Sequence, residues 1–371
     1  LNSAAHTPEV GQIGFTDDGN LKLTNDVSSD NNRDKSYNYY LKDGKIYDTN
    51  NQEVSGYTVD DKFNITGKGI STNLFCSDSP YQVYPTNYLY LTSSTDGGAN
   101  WSAPTLINVK YANEQTCLVG PGKGIVTSSG RIIYPVYEYT KGTQYTSVIY
   151  SDDQGKTWKR SANMDRGTSE ATITEADGKL YMFTRGAKYY YVSTDNGATW
   201  STKQIVQGIS YTTSCQMNAI TYSKKIDGKT AILLSAGTND RNNGKIFVGL
   251  VQANGSITWK YERAVNSGKY QYSCLSELKD GTVALLYEDG DASEKFVKYS
   301  IEDIAKGATI ESGKEEIKHV ATSGATDSVT ATIVTNNAND KLAFSKCKKK
   351  TTPTEVDGYN CSVTYDMELS L

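Results

Sequence analysis

Short apolar runs alternate with turn residues along most of the chain, most regularly between residues 65 and 300. Clear examples of such runs are residues 131–137, 179–184 and 282–287. Each follows a turn that contains glycine, and few segments show the spacing of an amphipathic helix. Apolar runs of this length between turn residues are typical of strands. The pattern therefore predicts an all-β chain built from antiparallel meanders.

Three segments share the frame S-x-D-x-G-x-x-W. They are residues 94–101, 151–158 and 193–200. A fourth segment, residues 252–259, is degenerate, because Asn254 replaces the aspartate. The four segments use all 4 tryptophans of the chain. Successive tryptophans are about 40 to 60 residues apart, a spacing that predicts four-stranded propeller blades.

The repeat carries its own local chemistry. The serine hydroxyl and the aspartate carboxylate can cap amides of a tight turn, and the glycine can take a left-handed conformation. The tryptophan is expected to be buried beneath the turn. We therefore assign a structural role, away from any substrate, to Asp96, Trp101, Asp153, Trp158, Asp195 and Trp200. This Asp-box resembles the repeats of sialidases and other β-propellers.

Composition excludes several classes of function. The net charge of −4, with no long basic block, argues against a nucleic-acid partner. No apolar run approaches the roughly 18 residues of a transmembrane segment. The 2 histidines, His6 and His319, lie far apart, which argues against a zinc hydrolase or a Ser-His-Asp enzyme. The 28 tyrosines suit a carbohydrate-facing surface and equally an ordinary β-rich fold.

The 6 cysteines show no C-x-x-C spacing, which argues against a thiolate metal site. Cys347 and Cys361 flank a turn-like stretch and are candidates for a hairpin disulfide. The other four cysteines can be explained as free thiols.

Five groups of segments, in order along the chain, resemble glycoside hydrolase family 33 sialidases, particularly the large secreted bacterial type. They are residues 120–125 with 130–137 (GPGKGI and GRIIYPVY), 168–170 with 179–185 (TSE and KLYMFTR), 215–217 (CQM), 239–245 (NDRNNGK), and 272–278 with 285–288 (YSCLSEL and LLYE). The resemblance extends from about residue 40 to residue 304. It implies a six-bladed β-propeller and an exo-α-sialidase that needs no metal or organic cofactor.

The resemblance also implies roles for particular residues. Sialic acid carries a carboxylate on its anomeric carbon, and arginines bind such an anion with paired planar donors. Arg185 and Arg241 match two members of the family's arginine triad. Because an anionic nucleophile would be repelled by this carboxylate, sialidases use a tyrosine. Tyr272 matches this nucleophile and Glu170 matches the base that takes its proton. Two further residues match pocket-lining positions, Tyr137 and Gln216.

Two of these assignments have competitors in the sequence. Tyr270, two residues before Tyr272, would face the same side of a strand. Glu175 is the alternative carboxylate, and the spacing to Arg185 favours Glu170. Both pairs stay open at this point.

The N-terminal part departs from the family pattern. Family members carry an Arg-Ile-Pro segment with the first triad arginine, and then an acid/base aspartate, both before the first Asp-box. Here Arg33 is the only arginine before Trp101, and its surroundings match poorly. We expect the chain to lack part of the first blade and to need an N-terminal fragment as a partner. The expected domains are a hairpin-rich segment or insert (1–64), propeller blades (65–306) and a small β appendage (307–371).

The sequence thus favours a secreted or cell-surface exo-α-sialidase that acts on sialylated glycans through a tyrosyl intermediate, with retention. One alternative is an inactive sialic-acid-binding lectin that keeps Arg185 and Arg241. Another is a trans-sialidase or intramolecular trans-sialidase with the same core. A scaffold built on another Asp-box propeller would not explain the family order of Glu170, Arg185, Arg241 and Tyr272.

Overall fold

A computed structural model describes residues 9–25, 37–290 and 292–311, together with four strands nearer the C-terminus. The chain divides into two compact units, Leu1–Ser312 and Gly313–Leu371. The larger unit is almost entirely β-structure, as the apolar pattern predicts.

The first seven strands form two small antiparallel sheets, in the orders β3-β2-β1-β7 and β4-β5-β6. Their bounds are β1 (Leu21–Thr24), β2 (Tyr39–Lys42), β3 (Lys45–Asp48), β4 (Thr58–Val59), β5 (Asn64–Gly67), β6 (Ile70–Asn73) and β7 (Gln82–Val83). Buried Leu23, Ile46, Ile65 and Leu74 belong to one shared core. The expected boundary at residues 64 and 65 falls inside β5. Strand pairing and a shared core join described residues on both sides of this position into one packed region.

The next strands form a two-stranded and a five-stranded antiparallel sheet. Their bounds are β8 (Leu89–Leu91), β9 (Thr105–Ile107), β10 (Thr116–Val119), β11 (Ile125–Val126), β12 (Ile132–Thr140), β13 (Thr143–Ser151) and β14 (Lys159–Arg160). Strand β8 pairs with β9, and the larger sheet has the order β10-β12-β13-β14, with β11 beside β12. In both sheets an Asp-box connects the last two strands.

Three more antiparallel sheets follow, in sequence order β15 to β18, β19 to β22 and β23 to β25. The bounds are β15 (Ala171–Ala176), β16 (Lys179–Thr184), β17 (Tyr189–Ser193), β18 (Gln204–Ile205), β19 (Asn218–Ile226), β20 (Lys229–Asn239), β21 (Asn242–Val251), β22 (Ile257–Lys269), β23 (Ser273–Glu277), β24 (Val283–Glu288) and β25 (Glu294–Tyr299), then helix α1 (Ile301–Ile304). The first strands β15, β19 and β23 contact one another in turn, so they line the centre of the arrangement.

This meander order separates two kinds of turn. In an antiparallel sheet of four consecutive strands, the turns after strands one and three lie at one end. The turn after strand two and the link to the next sheet lie at the opposite end. The Asp-boxes of residues 151–158 and 193–200 follow third strands. Residues 185 and 241 follow second strands, and residues 170 and 272 precede first strands. The Asp-boxes therefore lie opposite the end where the candidate site residues gather.

The Asp-box turns have the expected local hydrogen bonds. In the second box, Ser151 Oγ accepts the Gly155 N–H at 2.8 Å and donates to Asp153 Oδ1 at 2.8 Å. Asp153 also accepts the backbone N–H of Thr157 at 2.8 Å, and Trp158 Nε1 donates to Gly155 O at 3.0 Å. Gly155 has a φ of 89°, a left-handed conformation that favours glycine.

The expected burial of the tryptophans fails for the first box. Trp158 and Trp200 are half-buried and pack on core clusters that include residues of the preceding sheet. Trp101 is 60% exposed, although its turn makes the same hydrogen bonds. The reason is packing between sheets: a Cβ on Gly155 would contact Leu91 of β8, whereas a Cβ on Gly98, the equivalent glycine of the first box, would meet only Trp101 of its own box. No described sheet packs beneath the first box as β8 does beneath the second.

The smaller unit contains four described strands, paired antiparallel in the order β26-β29-β27, with β28 also beside β29. Their bounds are β26 (Ser328–Val334), β27 (Lys348–Lys349), β28 (Thr354–Val356) and β29 (Asn360–Asp366). Cys347 and Cys361, the candidates for a disulfide, are not among the residues whose side chains the structure describes. Cys76, Cys117, Cys215 and Cys274 are free thiols. Among the described residues, no helix has the length and apolar character needed to cross a membrane.

Candidate active site

The Tyr272 phenol and the Glu170 carboxylate meet at the end of the sheets opposite the Asp-boxes. Tyr272 OH donates to Glu170 Oε1 at 2.7 Å, across 102 residues of sequence. Glu170 is 8% exposed, so its carboxylate is largely removed from water. A buried carboxylate that accepts a phenolic proton has the geometry of a general base for that oxygen.

Arg185 completes this contact. Its Nη1 donates to Glu170 Oε2 at 2.7 Å and to Tyr272 OH at 3.0 Å. Its Nη2 donates to Ser214 O at 2.9 Å. The planar guanidinium therefore donates to both the carboxylate and the phenol oxygen and holds these two groups together.

The strand ladder explains why Glu170 and Arg185 lie side by side. Residues of β15 and β16 pair in register as far as Ala171 and Thr184. The pairing continues one step further, since Arg185 N donates to Glu170 O at 2.7 Å. Residues directly opposite in an antiparallel pair project to the same face. Sequence positions 170 and 185 thus become neighbours through the β15–β16 hairpin.

Arg241 also lies beside Tyr272. Its guanidinium carbon is 5.6 Å from the centroid of the Tyr272 ring. Its Nη1 donates to Gln271 Oε1 at 2.7 Å. The two sequence-matched arginines therefore both lie next to Tyr272.

Tyr270 is excluded as the exposed tyrosine of this site. Its side chain has no exposure, packs in the hydrophobic core and contacts Ser235. Burial raises the pKa of Tyr270 to about 12, although hydrogen bonds from Ser235 and Ser273 oppose the shift. The two tyrosines lie just before β23 and do not share a face, so Tyr272 alone reaches the site.

The expected pocket-lining role of Gln216 needs correction. Its side chain is 2% exposed, and its Nε2 donates to Ser273 O at 3.1 Å. Ser273 N donates in return to Gln216 Oε1 at 2.9 Å. Because both polar atoms pair with the backbone next to Tyr272, Gln216 fixes the start of β23 instead of facing the cleft.

Tyr137 is half-buried on β12 near the carboxylate. Burial and then the charge of Glu170 raise the pKa of Tyr137, and Arg185 partly offsets the rise. Glu175, the competitor of Glu170, is elsewhere: it accepts the N–H of Ser128 at 2.7 Å. The structure therefore brings Glu170 to the site and leaves Glu175 bound to a turn.

The environment keeps Tyr272 protonated near neutral pH. Burial raises the pKa of the Tyr272 phenol above its usual 10.0, and hydrogen bonding to Glu170 adds to the rise. The charge of Arg185 opposes the shift. A neutral phenol with a base in contact is the form suited to attack on a carbon that carries a carboxylate.

An open cleft lies beside Tyr272. Its lining includes Arg241, Gln271, Glu288 and the β24–β25 turn. Glu288 Oε2 accepts the backbone N–H of Tyr272 at 3.3 Å. Gln271 was not singled out from the sequence, because a glutamine between two tyrosines carries no recognisable signal.

A second contact that the sequence does not indicate connects the loops of the two arginines. Ser214, whose carbonyl holds Arg185, donates through its hydroxyl to Asp240 Oδ1 at 2.6 Å. Asp240 directly precedes Arg241. Within the described part of the chain, no cluster of three or more histidine, cysteine or carboxylate side chains could hold a metal ion.

Comparison with known proteins shows the family of the chain. The family model of the BNR repeat-like domain matches residues 70–285. The Anhydrosialidase of Macrobdella decora is 34% identical over 335 residues, which cover 74% of this chain and 44% of that protein. The chain belongs to the sialidase family. Sialidase B of Streptococcus pneumoniae is 32% identical over 305 residues, covering 70% of this chain and 43% of that protein.

A solved structure agrees with the fold. The intramolecular trans-sialidase of Ruminococcus gnavus superposes with a TM-score of 0.71 at 30% identity, covering 82% of this chain and 73% of that one. The expected sialidase-type β-propeller of glycoside hydrolase family 33 is thereby confirmed. The chain spans less than half the length of the two sequence relatives above.

Proposed function

We propose that the chain is the larger part of an exo-α-sialidase catalytic domain that hydrolyses terminal sialic acids of glycoconjugates with retention. The observation that carries this proposal is the Tyr272–Glu170 hydrogen bond of 2.7 Å, next to two arginines. A lectin could use Arg185 and Arg241 to hold a carboxylate. It would have no use for a buried base on the phenol, and this contact therefore favours an enzyme.

In the proposed reaction, Tyr272 Oη forms a bond to the anomeric carbon while the glycosidic C–O bond breaks. The phenolic proton passes to Glu170, and the departing oxygen takes a proton from an acid. Water then attacks the anomeric carbon and gives a proton to the conjugate base of that acid. The bond from Tyr272 Oη to the carbon breaks, the phenolate regains its proton from Glu170, and the double displacement restores the original configuration. Arg241 and Arg185 hold the substrate carboxylate throughout.

The acid and the third arginine of the family pattern have no match in this sequence, and we propose that an N-terminal fragment supplies them. Two exposed surfaces support this proposal. Trp101 is 60% exposed on the first Asp-box. Leu286 and Phe296, opposite each other on β24 and β25, are 43% and 59% exposed on the last sheet. Exposed apolar residues on the first Asp-box and on the last sheet fit a packing partner.

We propose sialylated glycans or glycoproteins as substrates, and secretion or cell-surface attachment as the location. The carboxylate of sialic acid fits the two arginines. The location rests on the resemblance to the secreted type of the family, since surface glycans are met outside the cell.

An intramolecular trans-sialidase is the second candidate, because the Macrobdella decora and Ruminococcus gnavus proteins are named for that kind of chemistry. In that reaction a hydroxyl of the sialic acid itself, instead of water, attacks the anomeric carbon. The product is an anhydro sugar that is lighter than free sialic acid by one water.

One experiment separates these candidates. The chain is combined with an N-terminal segment carrying Arg-Ile-Pro and incubated with a sialyllactose, and the product is weighed by mass spectrometry. Free sialic acid supports the hydrolase, whereas the anhydro product supports the intramolecular transfer. A 3-fluoro-sialosyl fluoride should label Tyr272, with the Tyr272→Phe variant as the matched control. Binding without either product or label would favour the lectin and overturn the enzyme proposal.

A further inference from the structure

The two arginines beside Tyr272 differ in the charge of their partners. Arg185 forms an ion pair with Glu170 at 2.7 Å, so much of its charge is compensated within the protein. Arg241 donates at 2.7 Å to Gln271, a neutral amide. Among the residues that the structure describes, Arg241 forms no ion pair. Arg241 therefore has the less compensated positive charge of the two.

Gln271 is fixed so that its amide oxygen meets Arg241. Its backbone N–H donates to Glu288 O at 3.0 Å, and Tyr270 N donates to Arg241 O at 2.9 Å. The side chain is 6% exposed. A guanidinium has only donors, so the group that meets it must be the carbonyl oxygen of the amide. Backbone pairing thus sets both residues, and the amide restricts the rotamers of Arg241.

We infer that Gln271 is a positioning residue that orients Arg241 without neutralising it, so that Arg241 supplies most of the attraction for an anionic ligand. This inference rests on the proposed function, because the ligand is taken to be a sialic acid carboxylate. A glutamate of almost the same shape at position 271 would form an ion pair with Arg241 and compete with the ligand. The neutral amide keeps the orienting hydrogen bond and avoids this competition.

Titration calorimetry with 2-deoxy-2,3-didehydro-N-acetylneuraminic acid tests the inference on the full chain combined with the N-terminal segment that carries Arg-Ile-Pro. Gln271→Glu should weaken binding by on the order of 10- to 100-fold, as expected when a charged hydrogen-bond donor is compensated. Gln271→Ala should weaken it only a few-fold, since the charge stays and only the orientation is lost. Gln52→Glu, an exposed position in the N-terminal sheets, carries the same change in net charge and should bind like the wild type.

Equal affinities of Gln271→Glu and Gln271→Ala, or of Gln271→Glu and Gln52→Glu, would overturn the inference. The rate at which phenylglyoxal modifies Arg241, mapped by mass spectrometry, tests the contact with Gln271 in the absence of any sialic acid ligand. Arg241 should react more slowly in Gln271→Glu and faster in Gln271→Ala than in the wild type. Unchanged labelling in both variants rejects the role of Gln271 whether or not the ligand binds. Changed labelling without ligand binding instead rejects the proposed function and retains the positioning of Arg241.

Discussion

At one end of the blades the Asp-box turns close their hydrogen bonds within four residues, as from Gly155 N to Ser151 Oγ. At the other end, Tyr272 bonds to Glu170 across 102 residues and to Arg185 across 87. The first kind of structure is encoded locally and is repeated with nearly the same distances in three boxes. The second kind exists only when separate sheets pack around a centre. The comparison separates side chains that maintain the turns from those that we propose perform the chemistry.

Removing the phenol should give the largest effect at the site end. Tyr272→Phe keeps the ring against Arg241 but deletes the nucleophilic oxygen. In the complete enzyme, sialoside cleavage should fall by at least about 10³-fold, since loss of a nucleophile is among the most costly changes in catalysis. Tyr270→Phe is the control, because Tyr270 is buried away from the cleft. Comparable losses of kcat in the two variants would contradict the assignment.

Glu170→Gln should cost about 10²- to 10⁴-fold in kcat, the range for a general base. The same change should lower the pKa of Tyr272, because Glu170 contributes to its rise. At a pH below its raised pKa the Tyr272 phenol stays protonated and needs a base to take its proton. A lower pKa of Tyr272 together with a lower kcat in Glu170→Gln would therefore indicate that a positioned base has been lost. ¹³C-tyrosine NMR, with Tyr272→Phe to assign the signal, measures the pKa. The general-base role would be rejected if Glu170→Gln retained wild-type kcat.

Substitutions at the Asp-box end should change the free energy of unfolding, and the change should differ between the boxes. Trp158→Ala should cost near the lower part of the ~3–5 kcal/mol range for a large aromatic, because Trp158 packs against the preceding sheet. Trp101→Ala should change the free energy of unfolding by about 0.5 kcal/mol or less, as for an exposed side chain. Urea denaturation compares the two variants. A cost for Trp101 equal to that for Trp158 would show that the first box is covered in solution.

The smallest expected effect is the acid dependence of one turn. Hydrogen bonds from the side chain and backbone of Thr157, and from Ser151, lower the pKa of Asp153 from 3.8 to about 2. Because the folded-state pKa is the lower one, this stabilisation is complete above pH 3.8 and is lost as the pH falls towards 2.

Thr157→Val removes the side-chain donor, should raise the pKa of Asp153 and should shrink this loss of stability between pH 4 and 2. Asp153→Asn should abolish this contribution. Unfolding free energies measured across that pH interval test both expectations. An unchanged pH slope in Asp153→Asn would show that the carboxylate contributes nothing to folding.

The sequence predicted some structural features and missed others for identifiable reasons. The runs at residues 179–184 and 282–287 correspond closely to β16 and β24, because apolar periodicity reports burial directly. The burial of Trp101 was wrongly expected, since a local motif does not specify what packs beneath it. Gln216 matched a pocket-lining position in the sequence, yet both polar atoms of its side chain form hydrogen bonds with the backbone of Ser273. Gln271 was missed entirely.

By itself the sequence determined the strands, the Asp-box turns and the residue types of the site, because these depend on periodicity, on contacts within a few residues and on matched segments. Tertiary structure alone decided that Tyr272 reaches the cleft while Tyr270 is buried, and that Glu170 meets the phenol while Glu175 caps a turn. It also placed a neutral amide against Arg241. Such choices depend on how whole sheets pack, and strand periodicity carries no information about which residues of different sheets become neighbours.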